Sequence, residues 1–346
     1  MVDTMALLHP FSRTARTSRT TPRPVTGLPA DDEVLLDAPD DRLGPALVAS
    51  ARGEHGPAAA LLAATRATAA WENRDRYARR LAAFAHSRPQ WLESWYADAP
   101  HDPDVLLLRA QLAVDHAWRS PARAELLRGV SPLITAAALG DDRDPVPWRL
   151  ALDHARGTEA GPKYFGELWE AALRRAPHHY GCHVAALRYL AASWQGSHLE
   201  CFDFADRAAQ DAPPDSLIQA LPSRAALAYL TGGVGGAEVP RERLDAAADR
   251  AIALSARFPV ADPWPAEIRN KLLYVLVRLD RWQDALVEVN RIGACATSFP
   301  WDRMSDDPLA LFLRVRGDIR ARTPGPLAPS RYPRSGRGGR AGSGDH

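Results

Sequence analysis

The chain has 346 residues, of which 46% are hydrophobic and 25% charged, and its formal net charge is +1. Its wholly apolar runs, such as residues 106–108, span only a few residues and are far shorter than the roughly 20 residues of a transmembrane helix, so we expect a soluble globular protein without a membrane span. Arginines are concentrated at both ends, which leaves a mildly acidic body and argues against a nucleic-acid-binding surface there.

The two ends of the chain are basic and poor in large apolar side chains. Residues 1–30 and 322–346 cannot bury enough apolar surface to offset chain entropy, so we predict a disordered leader and a disordered tail. The short apolar run 5–8 is interrupted by His9 and Pro10, unlike the apolar core of a secretory signal. The three cysteines are too few and too scattered for a disulfide framework. These features predict a cytoplasmic protein.

Between its ends the sequence has the pattern of an all-α protein. Ala, Leu and Arg dominate, and the alternating Val, Ile or Thr patterns of strands are missing. In chain order we predict a first helical part over residues 31–215. A second helical part over residues 216–321 continues the same stack.

Helix boundaries in the first part are marked by individual residues. Pro147 suits the first turn of a helix, and Gly157 suits its end with a positive φ. From Phe165, apolar residues recur at helical spacing and predict an amphipathic helix. Ser197, with Glu200 three residues later, forms a capping box that predicts the start of the next helix.

Three further amphipathic helices are predicted in the second part, with apolar stripes that begin at Leu244, Ile268 and Trp282. Each stripe needs a neighbouring helix to cover it. Prolines punctuate the chain at intervals of about 30 to 45 residues, which is typical of stacked helix pairs. The prolines concerned are Pro103, Pro145, Pro177, Pro213, Pro259 and Pro300.

Two segments share a spacing of aromatic and small residues. Residues 280–285 open with Asp, place Trp two residues later and Ala three residues after that. Residues 196–201 keep this spacing with His198 and Cys201 in those places. In this respect the chain resembles the tetratricopeptide repeat, where the small residue lets paired helices approach. The resemblance implies a right-handed superhelical stack of antiparallel helix pairs, a tetratricopeptide-like α-solenoid.

A second resemblance rests on tryptophan motifs. Trp91 and Trp95 form a W-x3-W motif, and residues 194–197 read W-Q-G-S. Over residues 70–215 the chain resembles a bacterial domain family of unknown function with W-x3-W and W-G-G-S motifs. Gln195 stands where that family has glycine. The resemblance implies a helical fold and no particular chemistry.

Four tryptophans are candidate binding residues. Trp91, Trp95 and Trp148 lie close to predicted helix starts, where one edge of the indole is expected to stay exposed, and Trp194 lies in the W-Q-G-S turn. Exposed aromatic side chains on the concave face of a helical stack form a ligand groove. The alternative is core packing, because an indole buries a large area.

Residues 178–183 contain the densest cluster of metal-capable side chains. In a helix that begins near residue 178, His179 and His183 lie one turn apart, with Cys182 between them. His198 and Glu170 are the further ligands that a metal site would need. The H-E-x-x-H pattern is missing, so the alternative is an ordinary helix start.

The sequence therefore predicts a non-enzymatic interaction or scaffold protein without a cofactor. Its partner would be a peptide or protein bound on the concave face of the stack, and that hypothesis rests on fold analogy. A metal-binding enzyme or sensor centred on the His–Cys cluster is the alternative. A regulatory module for a separate catalytic or DNA-binding chain also remains open. Only the basic ends suit nucleic acid, so we do not expect a nucleic-acid partner for the body.

Overall fold

The structure is a computed structural model and describes residues 28–232 and 238–323. Over these residues the protein is all-α, as predicted, with sixteen α-helices and one pair of two-residue strands. The predicted leader and tail fall outside the described residues, except for 28–30 and 322–323. Within the same ranges, no helix has both the length and the apolar character needed to cross a bilayer.

The helices have the following bounds. Eight of them lie before residue 158: α1 (Leu43–Ala51), α2 (Gly56–Ala67), α3 (Trp71–Ser87), α4 (Gln90–Asp98), α5 (Pro103–Arg119), α6 (Arg123–Arg128), α7 (Ser131–Ala138) and α8 (Val146–Gly157). Eight more follow: α9 (Pro162–Arg175), α10 (Tyr180–Tyr189), α11 (His198–Asp211), α12 (Leu221–Thr231), α13 (Arg241–Ser255), α14 (Ala266–Arg278), α15 (Trp282–Ile292) and α16 (Pro308–Arg322). Short 3₁₀ turns lie at Asp31–Glu33, Leu217–Ala220 and Trp301–Arg303.

One series of helices runs through the middle of the molecule. The helices α3, α5, α8, α10, α12 and α14 contact one another in that order. The intervening helices pack on this series: α7 contacts α5 and α8, α9 contacts α8, α13 contacts α12 and α14, and α15 contacts α14. We call α3, α5, α8, α10, α12 and α14 the inner helices.

Two large apolar clusters form the core. The first spans residues 43–150, and the second spans residues 180–319 and also includes Val34. Between them, α8, α9 and α10 share a smaller cluster in which the rings of Phe165 and Tyr189 stack with centroids 3.8 Å apart. The second cluster contains residues from helices on both sides of residue 215, so the boundary predicted there does not separate two cores.

The first described segment packs against the last. Strand β1 (Leu35–Leu36) pairs in parallel with β2 (Cys295–Ala296), and Leu35 lies opposite Cys295. Next to the strands, Asp37 accepts a hydrogen bond from the Ser298 amide at 3.1 Å. Asp37 also pairs with Arg80 of α3 at 3.2 Å. These long-range contacts bring the start of the described chain, α3 and the segment after α15 together around one recess.

Most of the predicted helix boundaries are confirmed. Pro147 lies in the first turn of α8, and the Ser197 hydroxyl caps α11 by accepting from the Glu200 amide at 3.2 Å. The positive φ predicted at Gly157 is wrong, because Glu159 adopts it instead, with φ 58°. Gly157 is required for another reason: a Cβ there would lie 2.3 Å from Leu127 Cδ1.

Candidate functional site

The four candidate tryptophans do not form one exposed surface. Trp91 and Trp95 are each 1% exposed, so the expectation of an exposed edge is wrong for both. The reason is their packing in the first core cluster, where their rings lie 6.5 Å apart. Trp148 and Trp194 are half-buried, and arginines cover their rings. The Arg175 guanidinium lies 4.0 Å from the centre of the Trp148 ring.

The side chains of the His–Cys cluster take part in helix capping and in packing. His179 is the N-cap of α10, and its Nδ1 accepts from the Cys182 amide at 3.3 Å. His183 Nδ1 donates to the His179 carbonyl at 3.0 Å, and its ring meets the edge of Trp169. Burial lowers the pKa of His179 and of His183 to about 4, which keeps both rings neutral.

The further ligands proposed for that cluster have other neighbours. His198 packs edge-on against Tyr229, and Glu170 lies on the surface, 4.0 Å from Arg174. Over the described ranges, no three His, Cys, Asp or Glu side chains converge in a way that could hold a metal ion. The described residues therefore lend no support to the metal hypothesis.

The arrangement that sequence reasoning missed is a charged cavity of about 110 Å³ beside the strand pair. Inner helices α3, α10 and α14 supply most of its charged and aromatic lining. That lining includes Glu72, Arg76, Arg79, Arg80, Tyr180, Trp264, Glu267 and Lys271. Arg224 lies 3.4 Å from the lining residue Glu267, and Arg188 lies on α10, which also supplies the lining residue Tyr180. We call the cavity, together with these two arginines, the central recess.

Lys271 anchors one wall of the central recess. It is 3% exposed, and its Nζ donates to the Tyr180 hydroxyl at 2.9 Å and to Glu267 Oε1 at 3.1 Å. Burial opposes the ionisation of Glu267, but Lys271, Arg79 and Arg224 outweigh it and hold the pKa of Glu267 below its usual range. Glu267 is therefore a carboxylate already engaged by cations.

Glu72 differs from Glu267 in that its pKa is raised and not lowered. Burial raises the pKa of Glu72 to about 8, although its Oε1 accepts from the Tyr180 amide at 2.6 Å. Its other oxygen lies 3.9 Å from His179 Nε2, a buried atom without a hydrogen-bond partner among the described residues. At neutral pH this carboxyl group is largely protonated and does little to neutralise the cations around it.

A chain of ion pairs links the cations of α3, α8 and α10. Asp75 contacts Arg79 at 2.8 Å and Arg149 at 2.8 Å. Arg149 reaches Asp153 at 3.6 Å, and Asp153 in turn lies 3.6 Å from Arg188. Each carboxylate in this chain is shared by two or more arginines, so the cations outnumber the anions.

Arg188 is the least compensated member of that chain. Asp153 is its one ion-pair partner among the described residues, and its side chain makes no hydrogen bond there. Burial and the nearby guanidinium groups of Arg224, Arg156 and Arg79 lower the pKa of Arg188 to about 10.

Both Arg79 and Arg188 remain accessible, although each pairs with a buried carboxylate, Asp75 or Asp153. Their side chains are 38% and 39% exposed to solvent. Arg79 also lines the cavity itself. A cationic concavity of this kind attracts and concentrates anions.

No sequence motif indicates this site, because its residues lie far apart in the chain. The one local signal is Arg188, a single cation in the otherwise uncharged end of α10, where residues 184–190 read V-A-A-L-R-Y-L. The comparison with protein-family models gives no match, and neither curated proteins nor solved structures show significant similarity to the chain.

Proposed function

We propose that this protein is a non-enzymatic binding protein that holds an acidic segment of a peptide or protein partner in its central recess. The observation that carries the proposal is the concentration of cations on three inner helices: Arg79 and Arg188, which are accessible to solvent, and Arg224, which is mostly buried beside Glu267. Electrostatic complementarity of this kind speeds encounter and selects partners of opposite charge.

The same proposal includes the architecture of the binding surface. We propose a right-handed, tetratricopeptide-like stack of antiparallel pairs whose inner helices form the concave face. It is supported by the succession of contacts along the inner helices and by the packing of α9, α13 and α15 against them. It is also supported by Asp280, whose φ of 56° makes the sharp turn between α14 and α15, and by fully buried Ala285 in the motif 280–285.

The positive charge of the recess changes the kind of partner that we expect. An aromatic groove would take an apolar peptide, but Trp91 and Trp95 are core residues and the recess is cationic. An acidic partner therefore fits better than an apolar one. We place the protein in the cytoplasm, where its three buried cysteines, which form no disulfide, stay reduced.

The test is a binding measurement with peptides of defined charge. We expect a fluorescent Glu-rich peptide to bind the full chain, a Lys-rich peptide of equal length not to bind, and affinity to fall as salt is added. The double variant Arg188→Glu/Arg224→Glu should abolish binding. The matched control is Arg257→Glu, because Arg257 is exposed beyond α13. Equal binding by the double variant and the wild type would refute the proposal.

A further inference from the structure

Three guanidinium groups in the central recess have hydrogen-bond donors to spare. A guanidinium carries five N–H donors. Arg188 uses none of them on the described residues, and Arg79 uses one N–H on Asp75, at 2.8 Å. The Nε of Arg79 is buried without a hydrogen-bond partner in the described part of the chain. Arg224 has one long bond, 3.4 Å, to Glu267.

These donors come from three inner helices, of which α10 contacts both α3 and α12. Arg79 lies on α3, Arg188 on α10 and Arg224 on α12. Arg79 and Glu267 line the same cavity, and Arg224 lies 3.4 Å from Glu267. Arg188 is joined to Arg79 by the chain of ion pairs through Asp153, Arg149 and Asp75. Like charges held together in a partly buried place destabilise the unliganded protein, and a bound anion relieves the repulsion.

The charge balance indicates what kind of anion fits. Besides burial, the charges of three guanidinium groups, those of Arg79, Arg156 and Arg224, lower the pKa of Arg188. The carboxylates beside them are Asp75 and Asp153, both shared with Arg149, and Glu267, which is already bonded to Lys271. With Arg149 and Lys271 included, six cations face three carboxylates. At least two positive charges remain uncompensated. A carboxylate supplies one negative charge, whereas a phosphoryl group supplies about 1.5 to 2 near pH 7.

We propose that Arg79, Arg188 and Arg224 form a binding site for a phosphoryl group. Planar guanidinium forks bind phosphate oxygens through pairs of parallel hydrogen bonds, and clusters of arginines recognise phosphorylated segments in this way. The site rests on the proposed function, since it would hold a phosphorylated residue of the acidic partner in the central recess. A free phosphorylated small molecule would present the same chemistry.

The experiment measures binding of inorganic phosphate to the full chain by isothermal titration calorimetry, with chloride at equal ionic strength as the blank. We expect saturable binding by the wild type. Arg188→Gln should weaken it by about ten- to a hundredfold, the effect of losing charged hydrogen bonds. Arg257→Gln, the exposed control, should bind as the wild type does. Absence of phosphate binding, or equal binding by Arg188→Gln, would overturn the site.

The thermal midpoint separates a ligand-binding arginine from a structural one. Without ligand, Arg188→Gln should melt at the same temperature as the wild type or higher, because the substitution relieves repulsion between guanidinium groups. A clearly lower midpoint would show that Arg188 supports the fold and would count against the site. If Arg188→Gln does not fold, Arg224→Gln serves in the same titration with the same expected loss.

A competition arm separates this inference from the proposed function and distinguishes the sources of the phosphoryl group. Three peptides of one sequence are compared, carrying phosphoserine, glutamate or serine at one position. Tightest binding by the phosphoserine peptide, with displacement by free phosphate, supports both proposals. Equal affinity for the glutamate and phosphoserine peptides, without displacement by phosphate, refutes the phosphoryl site and leaves the proposed function standing. Phosphate binding through Arg188 without any peptide binding refutes the proposed function and indicates a small-molecule ligand.

Discussion

In the N-terminal half Arg74 is buried between carboxylates, whereas in the C-terminal half Arg269 is buried among backbone carbonyls. Arg74 donates to Asp104 and to Asp144, each at 2.6 Å, and so joins α3 to the starts of α5 and α8. Arg269 uses five hydrogen bonds of 2.9 to 3.1 Å, four to backbone carbonyls and one to the Ser255 hydroxyl. The first half is held by charge pairs between distant segments, and the second by local capping of helix ends.

The comparison also distinguishes structural arginines from those available to a ligand. Arg74 and Arg269 are almost fully buried and their donors are occupied. Arg188 is accessible and its donors are unused within the described residues. Burial and donor occupancy, taken together, separate a guanidinium that supports the fold from one that is positioned to bind an anion.

The largest effect is expected from breaking the charge pairs of the first half. Arg74→Met leaves Asp104 and Asp144 buried without their principal cation, and we expect a loss of about 3–5 kcal/mol in the free energy of unfolding. Urea denaturation followed by circular dichroism measures it. Arg88→Met, at an exposed position after α3, is the control and should change stability little. A loss below about 1 kcal/mol would show that these pairs do not hold the first half together.

A smaller effect is expected from the equivalent change in the second half. Arg269→Lys keeps the charge but offers three donors to five acceptors, so carbonyl groups at the ends of α13 and α15 lose their partners. We expect a loss of roughly 2–3 kcal/mol, measured by the same urea titration. Arg278→Lys, on the exposed side of the same helix, is the matched control. If both substitutions have equal effects, capping by Arg269 contributes little.

Acid should lower the stability of the protein through His179, which lies at the junction between the halves. Its folded pKa of about 4 lies below the ordinary 6.5, so between these values the unfolded chain takes up a proton that the folded protein does not. Stability is therefore lost as pH falls from about 6.5 to about 4. His179→Asn keeps an N-cap side chain and should reduce the loss between pH 7 and pH 5 by about 1–2 kcal/mol. An unchanged pH dependence of the urea midpoint would contradict this.

Substitution of Glu72 should produce the smallest effect, and the pH dependence of stability that it removes is opposite in sign to that of His179. The folded pKa of Glu72, about 8, lies above the ordinary 4.5, so the folded protein holds a proton that the unfolded chain releases, and stability is lost as pH rises towards 8. Glu72→Gln should remove about 1 kcal/mol or less of the decline between pH 6.5 and 8, because the side chain is partly in contact with solvent. The urea midpoint is measured at both pH values for the variant and the wild type, so that the contribution of His179, which is the same in both proteins, cancels in the comparison. An equal decline in the variant and the wild type would contradict it.

The sequence predicted the second half better than the first. The stripes that begin at Leu244, Ile268 and Trp282 became α13, α14 and α15, and Val289 and Ile292 are buried as their spacing indicates. In the first half, buried Asp104 and Asp144 lie in segments where the sequence shows only Asp-Pro helix boundaries. Apolar periodicity reports which face is buried, but it does not report which charges are paired inside the core.

The helical class, the helix starts and the absence of a long apolar span were determined by the sequence itself. These features depend on residues within about four positions of one another, through apolar periodicity and N-caps such as Ser197. The tertiary structure alone decided that Trp91 and Trp95 are buried and that Arg79 and Arg188, more than a hundred residues apart in the sequence, are joined by one chain of ion pairs. That outcome depends on how distant helices pack, because electrostatic and packing energies are set by distance in space and not by separation along the chain.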